Sequence, residues 1–309
     1  MRKHMISALA ALATLTIGLS ACAGTGSSAT SNGAATASNE KTLNVTASFY
    51  PIAWLTEQVG GNRVTVASAT PNNVEPHDFE LAPKAIASID ATSALFYVAG
   101  FQPSVDEAAG SLAKAKPVDL SGSVNLVKHA SAGGAHTDTT LDPHFWLDPQ
   151  RMTSAAKTIA ATLEKMDPAG TQTYQTNLAA VTTKLEALSA KFSAGLNQCE
   201  RKDVVTSHAA FGYLTDRYGL TQVSISGIDP DSDPSPADLK RVAAAMKETG
   251  ATTVFTEELL SPKTAEALAS QAGAQTDVLA TLEAKPEHGD YLDAMESNLT
   301  ALRKALACK

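Results

Sequence analysis

From Leu43 onward, short apolar runs alternate with amphipathic stretches. Leu43–Ser48, Val64–Ala69, Ala94–Ala99 and Val118–Leu120 read as strands, and Pro51–Val59, Pro83–Ile89 and Val105–Ala113 between them as helices. Such β-α-β-α alternation predicts a parallel sheet covered by helices on both sides. The Gly-, Ser-, Thr- and His-containing stretch Ser121–Leu141 breaks the pattern and reads as loop, with a short strand at Val124–Val127. Beyond Asp148-Pro149 the period is helical, stops at Asp167-Pro168 and resumes. There Tyr174, Leu178, Val181, Leu185, Leu188, Phe192 and Leu196 recur at steps of three and four. Their stripe predicts one helix of about 25 residues, about 38 Å long, suited to lie across two lobes.

A second series follows. Its strands are Val204–Ser207, Gln222–Ser226, Thr253–Thr256 and Asp277–Leu279. Its helices are Ala210–Tyr218, Ser235-Pro236 to Gly250, Ser261-Pro262 to Ala272, and Tyr291–Leu306. Ser followed by Pro is capping chemistry for a helix start. The expected class is α/β: two lobes, each a mainly parallel sheet flanked by helices, joined by one long rigid helix. The expected boundaries are an N-terminal lobe over 42–168, a linking helix over 169–198 and a C-terminal lobe over 199–309. Ligands in open α/β sheets sit beyond the carboxyl ends of the strands, so the cleft between lobes is the expected site.

Ahead of this lies a different kind of sequence. Residues 1–21 combine Arg2-Lys3, an apolar stretch from Met5 to Leu19 and small residues before Cys22, the plan of a secretory signal. Thr14, Thr16 and Gly18 interrupt a run already short for a membrane span. Leu19-Ser20-Ala21-Cys22 resembles a bacterial lipobox, which implies acylation of Cys22 and attachment to a lipid bilayer. Residues 22–41 would then be the lipidated Cys and a flexible tether of small polar residues.

Composition narrows the classes. The chain has 309 residues, 44% apolar and 5% aromatic, which allows about two domains with real cores. Lys and Arg number 24 against 32 Asp and Glu, a formal charge of −8 without a basic cluster, which argues against a nucleic-acid partner. The cysteine count is three, an odd number. With Cys22 taken by lipid, Cys199 and Cys308 remain as a pair in an oxidising compartment. Their disulfide would pin the last helix and close a loop of about 110 residues, stabilising by about 4–5 kcal/mol.

Of seven histidines, three stand at strand ends or in dense motifs: His77, His144 and His208. They are too far apart for a local zinc finger, and only a folded cleft can gather them. Neutral imidazole is the common zinc ligand, and three imidazoles leave a fourth position for oxygen. The flanking residues carry more. Pro76-His77-Asp78-Phe79-Glu80, Asp142-Pro143-His144-Phe145-Trp146-Leu147-Asp148-Pro149 and His208-Ala209-Ala210-Phe211-Gly212-Tyr213 stand out, with Asp233-Pro234-Ser235-Pro236 and Phe255-Thr256-Glu257-Glu258. On these the chain resembles the metal-binding lipoproteins of zinc and manganese ABC importers, over residues 42–307.

The resemblance implies two α/β lobes with metal in the cleft, His77, His144 and His208 as ligands, and Glu283 in Leu279-Ala280-Thr281-Leu282-Glu283 as the fourth. This chain departs from the family's pattern at Ala280-Thr281, Ala284 and Ala209. Asp78 and Asp142 are candidate partners for the second imidazole nitrogens, or turn caps. The long His- and acid-rich loop of zinc-type relatives shrinks here to His129, His136 and Asp138, read as a weak metal-capture loop or as plain polar loop. Three histidines and a carboxylate favour Zn²⁺ over Mn²⁺. The expected protein is a monomeric extracytoplasmic zinc receptor that delivers its cargo to an ABC-type permease and is not an enzyme. A manganese receptor, a metal-dependent adhesin and a zinc hydrolase are the alternatives.

Overall fold

The computed structural model describes residues 42–129 and 140–309. Cys22, the signal, the tether, His136 and Asp138 lie outside the described residues.

The first sheet is built of β1 (Leu43–Ala47), β2 (Val64–Ser68), β3 (Ala94–Tyr97) and β4 (Lys116–Asp119), ordered β2-β1-β3-β4 and parallel throughout. The second repeats that order with β5 (Asp203–Thr206), β6 (Thr221–Ser224), β7 (Thr253–Thr256) and β8 (Gln275–Val278) as β6-β5-β7-β8, again parallel. In each sheet the strand order reverses beside the first strand, which opens a crevice at the carboxyl ends of β1 and β3, and of β5 and β7.

Helices cover both sheets. In the first half these are α1 (Tyr50–Gly60), α2 (Pro83–Asp90), α3 (Pro103–Ser111), α4 (Ser121–Val124) and α5 (Pro149–Met166). After α6 (Thr171–Leu196) come α7 (Gly212–Tyr218), α8 (Pro236–Thr249), α9 (Lys263–Ala272) and α10 (Tyr291–Leu306). Strand alternation sorts the core: Ala94 and Phe96 of β3 face the central cluster, while Leu95 faces an outer one with Ile89 and Val105. In the second sheet Val204 faces inward, and Val205 and Val254 face outward toward Val242 and Leu268.

The helix α6 runs 26 residues and buries Tyr174, Val181, Leu185, Leu188, Phe192 and Leu196. It packs on α1 and α5 of the first half and on α7 and α10 of the second, so one apolar stripe serves both lobes. Cys199, just beyond α6, is bonded to Cys308, just beyond α10.

Two local expectations change. No strand forms at Val124–Val127. Asp119 instead accepts from the Ser121 amide and hydroxyl at 2.9 and 2.6 Å, starting a helical turn that ends at Asn125 with φ 53°. Ser235 caps α8 in a reciprocal bond pair with Asp238, as its Ser-Pro signature predicts. Ser261 does not cap α9, whose N-cap is Pro262 without a side-chain bond. Gly250 ends α8 with φ 70°, a conformation that glycine adopts without Cβ strain.

Candidate metal centre

Four side chains from four connections converge. His77 lies in the loop after β2, His144 before α5, His208 just past β5, and Glu283 in the loop after β8. All are buried, with His144 and His208 at 0% exposure, Glu283 at 4% and His77 at 8%.

Each loop is held by its own bonds. Glu75 accepts from the His77 amide at 2.9 Å, and Gln102 donates to the Pro76 carbonyl at 3.2 Å, fixing the first loop. The His77 ring sits edge-on to Phe101. Asn298 clasps the fourth loop through both its amide atoms, accepting from the Ala280 N–H and donating to the Ala280 carbonyl, each at 2.8 Å. Trp146 Nε1 donates to the Thr281 carbonyl at 2.7 Å, joining the His144 segment to the Glu283 segment. Leu282 has φ 60°, a left-handed conformation unusual for a branched residue. It costs about 1–2 kcal/mol and, with its neighbours fixed, turns Glu283 inward.

Two of the imidazoles are oriented from behind. Asp142 Oδ1 accepts from His144 Nδ1 at 2.7 Å, and Glu257 Oε2 accepts from His208 Nδ1 at 2.6 Å. A carboxylate only accepts, so these Nδ1 atoms are donors and the Nε2 lone pairs point to the centre. There His144 Nε2 lies 3.2 Å from His77 Nε2 and 3.3 Å from His208 Nε2. Glu283 Oε1 lies 3.5, 3.3 and 3.8 Å from the three Nε2 atoms, and the four atoms lie within 4.8 Å of one another. A tetrahedron with bonds of about 2.0–2.1 Å has edges of about 3.3–3.4 Å, so this hole has the size of a zinc site. Glu283 Oε1 is buried without a hydrogen-bond partner. Polar atoms this close and this buried call for a positive charge among them, a proton on an imidazole or a metal ion in its place.

Titration agrees with the geometry. Burial alone would raise the Glu283 carboxyl, but His144 and His77 hold it well below the usual range. Burial opposes charge on His144 and His208, yet Asp142 with Glu283 pushes His144 up to about 9, and Glu257 raises His208. For His77 burial prevails and lowers the pKa.

The structure places two further candidate residues away from the four converging atoms. Asp78 is exposed and lies against Asp231 rather than behind an imidazole, because the turn at Glu75 points it outward. His129 Nδ1 lies 2.6 Å from Asp142 Oδ2 in a packed seat. Asp142 does stand behind His144. Glu257 is a partner that sequence reading missed. Its place just past a strand in Phe255-Thr256-Glu257-Glu258 was visible, but its partner was not, because β7 lies beside β5 and His208 only in the fold.

The family model described as ZnuA, zinc-uptake complex component A, periplasmic, matches residues 45–305. The chain belongs to the ZnuA family. This family is an extracytoplasmic transport component rather than an enzyme. Within it, the chain is similar to the high-affinity zinc uptake system protein ZnuA of Bacillus subtilis (strain 168), 34% identical over 282 residues, covering 86% of this chain and 88% of that protein. The solved Zn(II)-bound ZnuA-like domain of Streptococcus pneumoniae AdcA is similar at TM-score 0.72 and 33% identity, with 86% of this chain and 99% of that chain covered. The chain spans 55% of the full AdcA lipoprotein. A laminin-binding protein of Streptococcus agalactiae, described as bifunctional with adhesin and metal-transporting activity, is similar at TM-score 0.78 and 31% identity, covering 86% of this chain and 100% of that chain.

Proposed function

We propose that this protein captures Zn²⁺ outside the cytoplasm and delivers it to an ABC-type permease, with His77, His144, His208 and Glu283 as the four ligands. The observation that carries this reading is the buried cluster of three imidazole Nε2 atoms and one carboxylate oxygen without a hydrogen-bond partner. Three nitrogens and one oxygen in a four-cornered hole suit zinc better than manganese, which prefers oxygen-rich sites. Four protein ligands leave no position for a water to be activated, which disfavours hydrolysis and suits cargo binding. Attachment to the membrane through acylated Cys22 and action as a monomer complete the reading. The lipobox-like residues before Cys22 support the first of these.

The test is calorimetry of metal-stripped protein with Zn²⁺ and with Mn²⁺. Wild type should bind zinc tightly and manganese weakly, and His144→Ala should lose zinc affinity by orders of magnitude. An unchanged zinc titration in that variant would sink the ligand assignment. Tight manganese binding with weak zinc binding would overturn the cargo. A second reading, adhesion as well as transport, is favoured by the likeness to the S. agalactiae protein. Binding to immobilised laminin tests it directly.

A further inference from the structure

Asp142 is a fully buried carboxylate whose two oxygens serve two histidines. Its Oδ1 accepts from His144 Nδ1 and from the His144 amide at 2.7 and 2.9 Å, while Oδ2 accepts from His129 Nδ1 at 2.6 Å. The other nitrogen of His129 lies 3.1 Å from Asp216 Oδ2, on α7 of the second half. The His129 side chain is only 9% exposed. Its ring stands edge-on to Tyr213 at 4.4 Å between centroids, and the Tyr213 hydroxyl donates to the Asp142 carbonyl at 2.6 Å. This seat exists because residue 212 is glycine: a Cβ there would come within 2.5 Å of the His129 ring.

We infer that His129 is a positioning residue for the metal centre, holding Asp142, and through it His144, in the orientation that aims His144 Nε2 at the ion. The inference rests on His144 being a ligand. A carboxylate with one oxygen bonded can rotate and share that bond, and a buried oxygen left unpaired is costly. With each oxygen committed to a different imidazole, the Asp142 plane cannot turn without breaking both bonds. The chain Asp216–His129–Asp142–His144 also begins in the second lobe. The buried Tyr213 hydroxyl bond to the Asp142 carbonyl ties the same segment to α7.

The full-length protein, stripped of metal, is titrated with Zn²⁺ against a competing chelator as wild type, His129→Ala, His129→Asn, His136→Ala and His144→Ala. Loss of a partner behind a metal ligand weakens binding by about 10–100-fold, and His129 acts one step further out, so about a tenfold loss is expected for His129→Ala. Asn keeps a donor near the Nδ1 position, so His129→Asn should recover most of that loss, and His136→Ala should bind like wild type. With Co²⁺ in place of Zn²⁺, the visible bands should shift in His129→Ala and return in His129→Asn, a change that simple loss of packing would not reverse. Affinity of His129→Ala within twofold of wild type, or equal losses in the His129→Ala and His136→Ala variants, would overturn the inference. Failure of His129→Asn to recover would do the same. If His144→Ala also binds zinc normally, the site reading itself fails; if only His129→Ala is silent, the positioning role alone fails.

Discussion

Two of the three imidazoles of this centre, those of His144 and His208, are held by a carboxylate at Nδ1. Glu257 fixes His208 through two bonds, to Nδ1 at 2.6 Å and to the amide at 3.0 Å. Replacing Glu257 with Gln puts an amide donor where an acceptor is needed. Zinc affinity should fall about 10–100-fold, measured by chelator competition, with the fold retained by circular dichroism. The pH response follows from His144, whose pKa stands at about 9 because Asp142 and Glu283 outweigh its burial. Zinc needs the Nε2 lone pair, so binding below that pH expels a proton, and affinity rises with pH. The expected slope is at least about tenfold per unit below about pH 9, flattening above it. An affinity flat across that range would contradict the assignment. The histidines were legible in the sequence because they stand at strand ends within dense motifs. Glu257 and the seat of His129 were not, because both depend on neighbours far away in sequence.

At the scale of elements, α6 is the member both lobes share, and its stripe was readable from the spacing of large apolar residues alone. Leu185, at 0% exposure, lies midway along it. Leu185→Ala should destabilise by about 2–5 kcal/mol, read as a lower midpoint in urea unfolding, because a rigid helix between two lobes cannot collapse into the void. Elements ruled by local polar bonds were harder to read. Val124–Val127 has a strand-like composition, yet Asp119 winds the residues before it into a helical turn that reaches Val124, and Ser261 has capping chemistry that α9 does not use. The Glu283 loop was the least legible of all. Its shape comes from Asn298, Trp146 and a left-handed Leu282, none of which leaves a local signature.

Across the whole molecule, the Cys199–Cys308 bond ties the end of α6 to the end of α10 over a separation of 109 residues. Removing it, as Cys308→Ser, should cost about 2–5 kcal/mol of stability. Thiol labelling of the unreduced, unfolded wild-type chain should find no free cysteine. Zinc should offset part of that loss, because an ion bound only by the folded state at a thousandfold excess over its dissociation constant adds about 4 kcal/mol. A Cys308→Ser variant whose melting temperature does not rise with zinc would break this link between centre and fold.

Periodicity and turn chemistry are properties of neighbours along the chain, so the two α/β series, the long helix and the pairing of the last two cysteines could be read without coordinates. The motifs that carry the converging histidines could be read as well. The metal hole itself is a different kind of fact. Its size, the direction of each lone pair, the exclusion of Asp78 and the recruitment of Glu257 and His129 arise where loops from two sheets meet. Distances of 3.2–3.8 Å among those atoms are set by packing across the cleft, which no local pattern encodes.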